Sequence, residues 1–246
     1  MALISLTYTF AVTKINARAS LLKASVAKQN MQILDDALHS VGWSFGGSKV
    51  VYVDDCGGTF KTLTTARRLM LNLTDEQAMK DILFNSSLGE AFYELEPSES
   101  SDYGLYLRGD GRAIINETSF TMTQLYVTNG SKTQNVILCY RPLATVAVIG
   151  TSNGKPLNLI RINVLNLNSS QALKMSGSFY LRVTSTDVTT ISRQYQFNSS
   201  ISSLVLEATL DGVSERIRLP VSSTSEGAMV DVEIVVCNVR LLRTEA

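Results

Sequence analysis

The feature that most constrains this chain is a change of hydrophobic period at Gly42. Before it, Ala19, Leu22, Val26, Ile33, Ala37 and Val41 recur every three to four positions, with Leu34 and Leu38 widening the stripe. Lys23, Lys28, Gln29, Gln32, Asp35 and Asp36 fall on the other face. That spacing predicts an amphipathic helix over 14–41, uninterrupted by Gly or Pro, with Gly42 where a helix ends. Residues 1–13 are apolar and uncharged. If they continue the helix, 1–41 forms a rod ~60 Å long at 1.5 Å per residue. They are too few to span a bilayer alone, which needs ~20 apolar residues. They also lack the basic flank and small-residue cleavage site of a signal peptide.

Beyond Gly42 the period falls to two. Strands are predicted at 49–53, 59–64, 67–73, 91–95, 103–107, 112–116, 121–128, 135–141, 143–149, 157–167, 177–185, 190–197, 202–209, 214–219 and 229–241, with one short helix at 75–88. Asn129-Gly130, Asn153-Gly154 and Asp211-Gly212 mark hairpins, because tight primed turns need positive φ. Turn chemistry also falls at Asp54-Asp55-Cys56-Gly57-Gly58 and at Gly109-Asp110-Gly111. The expected fold is mainly β (α+β): a long N-terminal α-helix, 1–41, followed by an antiparallel β-sandwich, 42–246.

Composition agrees. Ser and Thr, 28 and 22 residues, are scattered through the apolar runs, which suits strands with one wet face. Only four prolines occur, so no Pro-rich linker divides the chain. The 22 basic and 22 acidic residues balance, which argues against nucleic acid as a partner, since such proteins carry a basic footprint.

Catalytic chemistry is hard to place. His39 is the single histidine and is expected as a solvated residue on the polar side of the helix. Asp35-Asp36 and Asp54-Asp55 are read as a helix surface and a turn. The calcium-loop and Gly-rich phosphate patterns are missing, and Cys and His are too few for a zinc site, so no cofactor or metal is expected. Cys139 and Cys237 sit in apolar strands and could pair as a disulfide, leaving Cys56 odd; three buried thiols fit equally well. Trp43 is expected to plug the junction of helix and sheet. Arg108-Gly109-Asp110 spells an integrin-recognition tripeptide, but its setting is that of a turn. The sequon N-x-S/T occurs at Asn72, Asn85, Asn116, Asn129, Asn168 and Asn198, all outside the helix. These are candidate glycosylation sites of an outward-facing domain.

An apolar-then-amphipathic helix feeding a Ser/Thr-rich, sequon-bearing β domain resembles the type IV pilin-like proteins of archaea. The segment Val41-Gly42-Trp43-Ser44-Phe45-Gly46-Gly47-Ser48, followed by Gly57-Gly58-Thr59-Phe60, is similar to the helix-to-sheet junction of such cell-surface proteins. The resemblance implies a non-catalytic, extracellular structural or adhesive protein. It would be membrane-associated through its helix and would self-associate, packing against lipid or sister subunits in a pilus-like filament. A second expectation is a soluble binding module, or a fimbrial or capsid-like subunit, with 4–12 as a donated strand.

Overall fold

A computed structural model describes residues 2–75, 79–97, 104–130 and 133–245. One helix, α1 (Ala2–Gly42), runs without a break from the apolar start through the amphipathic segment. Residues 4–12 therefore belong to a helix and not to a donated strand. Among the described residues no helix is long and apolar enough to cross a membrane.

Thirteen strands follow among the described residues: β1 (Ser48–Val53), β2 (Thr59–Thr74), β3 (Lys80–Leu95), β4 (Tyr106–Arg108), β5 (Thr123–Asn129), β6 (Gln134–Tyr140), β7 (Leu143–Ser152), β8 (Lys155–Asn166), β9 (Lys174–Ser176), β10 (Phe179–Phe197), β11 (Ser203–Leu210), β12 (Val213–Pro220) and β13 (Ala228–Thr244). They form two curled sheets in a sandwich-like arrangement. The first has the order β1-β10-β13-β8-β7, and the second β12-β11-β2-β3-β6-β5-β4 with β9 on β2. The first sheet is mixed, because β13 and β8 run parallel. This corrects the purely antiparallel expectation.

The tight turns fall where their residues require. Asn153 and Gly154 take φ of 52° and 78° between β7 and β8, and Asp211 and Gly212 take 52° and 82° between β11 and β12. Both pairs make the primed turn that matches strand twist. The Gly57-Gly58 turn instead carries the chain from one sheet to the other. Of the helix expected over 75–88, residues 76–78 lie outside the described residues and 80–88 are strand. Lys80 onward is β3, paired with β2 from Thr74 back to Thr59, so strand pairing overrides the local helical spacing. The expected strands 59–64 and 67–73 are one strand with a bulge between Leu63 and Arg67, and 177–185 and 190–197 are likewise one strand bulged at Ser185/Asp187. Within 112–116 only Ile115 pairs, in an isolated bridge to Leu143. Of the expected 103–107 strand, Tyr103 lies outside the described residues, and pairing begins at Tyr106.

Two apolar clusters fill the sandwich. At one end Leu69, Leu71 and Leu73 of β2 share a cluster with buried residues of β8, β11 and β13, from both sheets. At the other, the second half of α1 is built into the core. Ala24, Ala27, Met31, Leu34, Ala37, Leu38 and Val41 pack with Phe60, Tyr93, Leu138, Leu181 and Val239. Three alanines in that stripe let the helix axis approach the sheets closely. The buried face thus differs from the predicted one: Ala19, Leu22 and Ile33 are exposed, while the polar Asn30 and Asp35 are buried.

Those two polar residues are satisfied by the turn after β1 and by strands of the second sheet. Asn30 donates through Nδ2 to the Asp54 carbonyl at 2.8 Å and accepts from the Asp54 amide at 3.2 Å. Asp35, 1% exposed, accepts from Thr123 Oγ1 at 2.9 Å, Tyr140 OH at 2.8 Å and Arg108 Nη1 at 2.7 Å. Three strands of the second sheet therefore converge on one helical carboxylate. On the other side, the Gly42 carbonyl accepts from Ser185 Oγ at 3.1 Å and from Cys237 Sγ.

Removing the Asp35 carboxylate leaves the buried Thr123 and Tyr140 hydroxyls without their acceptor, together costing about 2–6 kcal/mol. Asp35→Ala is expected to lose about that much stability in urea unfolding. Asp36→Ala, at an exposed carboxylate on the same arginine, is expected to cost about 0–1 kcal/mol. Equal losses at the two positions would refute the buried seat.

Candidate assembly surface

The seat at Asp35 fixes the rotation of α1, and so decides which side chains the helix turns outward. From Phe10 to Ala19 every position is exposed, so this half projects from the body rather than lying on it. Lys14 Nζ stands 5.4 Å from the centre of the Phe10 ring.

The outward residues have their own period. Tyr8, Val12, Ile15, Ala19, Leu22, Val26 and Ile33 follow spacings of four and three, with Gln29 at the one polar position. This is a heptad seam: β-branched Val12, Val26 and Ile33 at one core position, and Tyr8, Ile15 and Leu22 at the other. At 3.6 residues per turn it lies about a third of a turn from the buried stripe. Ile15 is 65% exposed and Leu22 68%, and only Val26 leans on the core. One helix therefore carries two apolar stripes, one consumed by its own sandwich and one left outside.

The other sequence-flagged groups are spread over the molecule. His39 is not simply solvated. Its Nε2 lies 2.8 Å from Thr123 Oγ1 and 3.4 Å from Asp35 Oδ1, and its ring meets Tyr140 edge-on. Trp43 is 40% exposed beyond the helix end and not part of the buried core; Gly42 makes the close approach there, against Leu165 and Cys237. Arg108 and Asp110 turn inward to separate partners. Arg108 bridges Asp35 and Asp36, while Asp110 accepts from Arg112 and from the buried Arg141. The tripeptide is a structural corner, and both its charges are spent within the fold. The arginines hold the Asp110 carboxyl well below the usual range, Arg112 first and Arg141 next.

Cys139 and Cys237 do not pair. They lie on β6 and β13, in different sheets, and all three cysteines are buried free thiols. Cys139 sits against Arg67, whose Nη1 reaches its Sγ at 2.7 Å and Gln124 Oε1 at 2.8 Å, beside a cleft of about 200 Å³. Burial pushes the Cys139 thiol up to about 12, so it stays protonated and is no nucleophile. The described residues hold no cluster of three or more His, Cys, Asp or Glu suited to a metal.

Of the sequons, Asn85, Asn116, Asn129 and Asn198 are exposed and Asn168 is half-buried. Asn72 is buried in β2 with its side-chain oxygen unpartnered, so folding removes it as a glycan acceptor.

No family model matches the chain, and no curated protein or solved structure matches it either.

Beside the Arg67 cleft, burial raises the Glu90 carboxyl above the usual glutamate range, with Arg67 opposing and Asp211 reinforcing. A raised carboxyl costs nothing below its unfolded value of ~4.3 and destabilises progressively as pH rises through the folded value. Glu90→Gln is therefore expected to stabilise the fold at neutral pH and to leave it unchanged in acid below that value. Urea unfolding at the two pH values checks this; a variant destabilised at neutral pH would show that the carboxylate is held by a favourable contact.

Proposed function

We propose that this chain is a non-catalytic structural subunit that assembles with copies of itself by packing the projecting half of α1 against sister helices. The observation that carries the proposal is the exposed heptad seam from Tyr8 to Ile33. A solvated apolar stripe at coiled-coil spacing is costly for a monomer, and a helix of like period buries it. Self-packing fits better than a membrane anchor: α1 is not apolar enough to cross a bilayer, and Lys14 and Arg18 interrupt its projecting half. The pilin-like resemblance of the sequence implies the same use of an N-terminal helix.

The β body supplies the outer layer of such an assembly. Its Ser/Thr-rich strands and the exposed sequons at Asn85, Asn116, Asn129 and Asn198 support a cell-surface, glycosylated setting and a structural or adhesive role.

Ile15→Lys with Leu22→Lys places two charges in the seam without touching the buried stripe. Sedimentation velocity is expected to find concentration-dependent oligomers for the native chain and loss of the helix-driven species for the double variant, with an unchanged circular dichroism spectrum. Identical sedimentation of the two would end the helix-packing reading. Glycopeptide mapping of protein from its native host is expected to find glycan on the exposed sequons and a bare Asn72. A fully bare polypeptide would remove glycosylation from the proposal.

A further inference from the structure

A sheet in a closed sandwich still has two edges, and unpaired backbone along an edge is a template for another strand. In this fold the edges are defended unequally. The second sheet ends at β12, which carries Glu215, Arg216, Arg218 and Pro220, and at β4, which is only three residues long. Charge, proline and shortness are the ordinary defences of an edge. The first sheet lacks them at two places. Strand β7, Leu143–Ser152, contains no charged residue and no proline; Ile115 bridges its start, accepting from the Ala144 amide, and from Thr145 to the bulge at Val148/Gly150 its described strand partner is β8 alone. At the opposite side β1 covers β10 only from Phe179 to Thr184, and Ser185 bonds the Gly46-Gly47 turn. Past that point, among the described residues, β10 pairs with β13 alone as far as Phe197, and Arg193 is the one charge beyond Asp187.

The two open edges match in level and direction. Tyr195 pairs with Val230, Val230 with Asn158 and Asn158 with Val148, so β10 and β7 stand at the same height across the sheet. Two antiparallel steps and one parallel step separate them, so they run in the same direction. The stretch Thr145–Val148 on one side is thus level with Ser192–Tyr195 on the other. Val148 is 58% exposed and Ile191 37%, an apolar residue on each edge.

We infer that the first sheet continues from one copy of the chain to the next, the outer edge of β7 pairing in parallel with the outer edge of β10 in a second copy. The occupant is a second copy because the missing neighbour of each edge is the other edge, at the same level and in the same sense. The contact is head-to-tail, so it leaves an open edge at each end and grows an array rather than a closed dimer. Main-chain hydrogen bonds supply the affinity, and with Arg193 the one charge in the two facing rows, no like charges are brought together. This pairing does not rest on the helix seam.

The test is made in the full chain carrying Ile15→Lys and Leu22→Lys, so that helix packing cannot contribute. Val148→Lys blocks the β7 edge and Ile191→Lys the β10 edge; both positions are exposed, and circular dichroism confirms that each variant is folded. In sedimentation velocity the parent is expected to form a ladder of species and each edge variant to be monomeric. An equimolar mixture of the two edge variants is expected to form dimers and stop there, because it retains one intact β7 edge and one intact β10 edge per pair. A monomeric parent, an edge variant that still forms the ladder, or a mixture that stays monomeric would each overturn the inference. Native chain that assembles while this parent is monomeric would leave the helix proposal standing and remove only the sheet pairing.

Discussion

The buried carboxylate of Asp35 is the interaction on which the rest of this structure depends. Apolar packing alone would let α1 rotate, because Ala24, Ala27 and Ala37 present a smooth, forgiving surface to the sheets. A carboxylate at 1% exposure removes that freedom. It must meet Arg108, Thr123 and Tyr140 together, or stand desolvated without compensation. Gly42 performs the complementary task at the helix end, offering its carbonyl to the other sheet. With both contacts made, the stripe turned inward is decided, and the stripe left outside follows from it.

Much of this was legible in the sequence. The period change at Gly42 located the end of the helix, and Asn153-Gly154 and Asp211-Gly212 located two hairpins by a backbone requirement that few other residues meet. The buried face of the helix was not legible, because hydrophobicity was the guide. Asn30 and Asp35 are interior for reasons that lie in distant parts of the chain, whereas Leu22 and Ile33 are apolar without being interior. The seam itself did leave a signal: the four-three spacing can be traced back from Ile33 to Tyr8. It could not be separated from the core stripe until burial showed that the helix has two apolar faces. Residues 80–88 misled for a related reason, since a short Leu- and Phe-containing stretch fits helix or strand until its partner in β2 is known.

Charge pairs explain the other surprises. Arg108 and Asp110 are adjacent to a shared glycine, yet one secures the helix and the other secures Arg141. Proximity in sequence says little about a charge whose partner is more than twenty residues away. Cys139 and Cys237 mislead in the same way: both occupy apolar strands, but the strands belong to different sheets. The two proposed contacts between copies draw on separate parts of the chain, a helical seam and a pair of sheet edges. Each is a surface the fold leaves incomplete.

The projecting half of α1 also acts as a lever. About twenty residues at 1.5 Å each extend ~30 Å beyond Ala24, the first buried residue of the helix among those described, so a tilt of about 10° there carries the tip about 5 Å sideways. That sideways distance is about half the 8–10 Å between packed helix axes, enough to lift seam residues out of a partner's grooves. Side chains that never leave the interior, Asp35 and Asn30 among them, thereby aim a contact made far outside it.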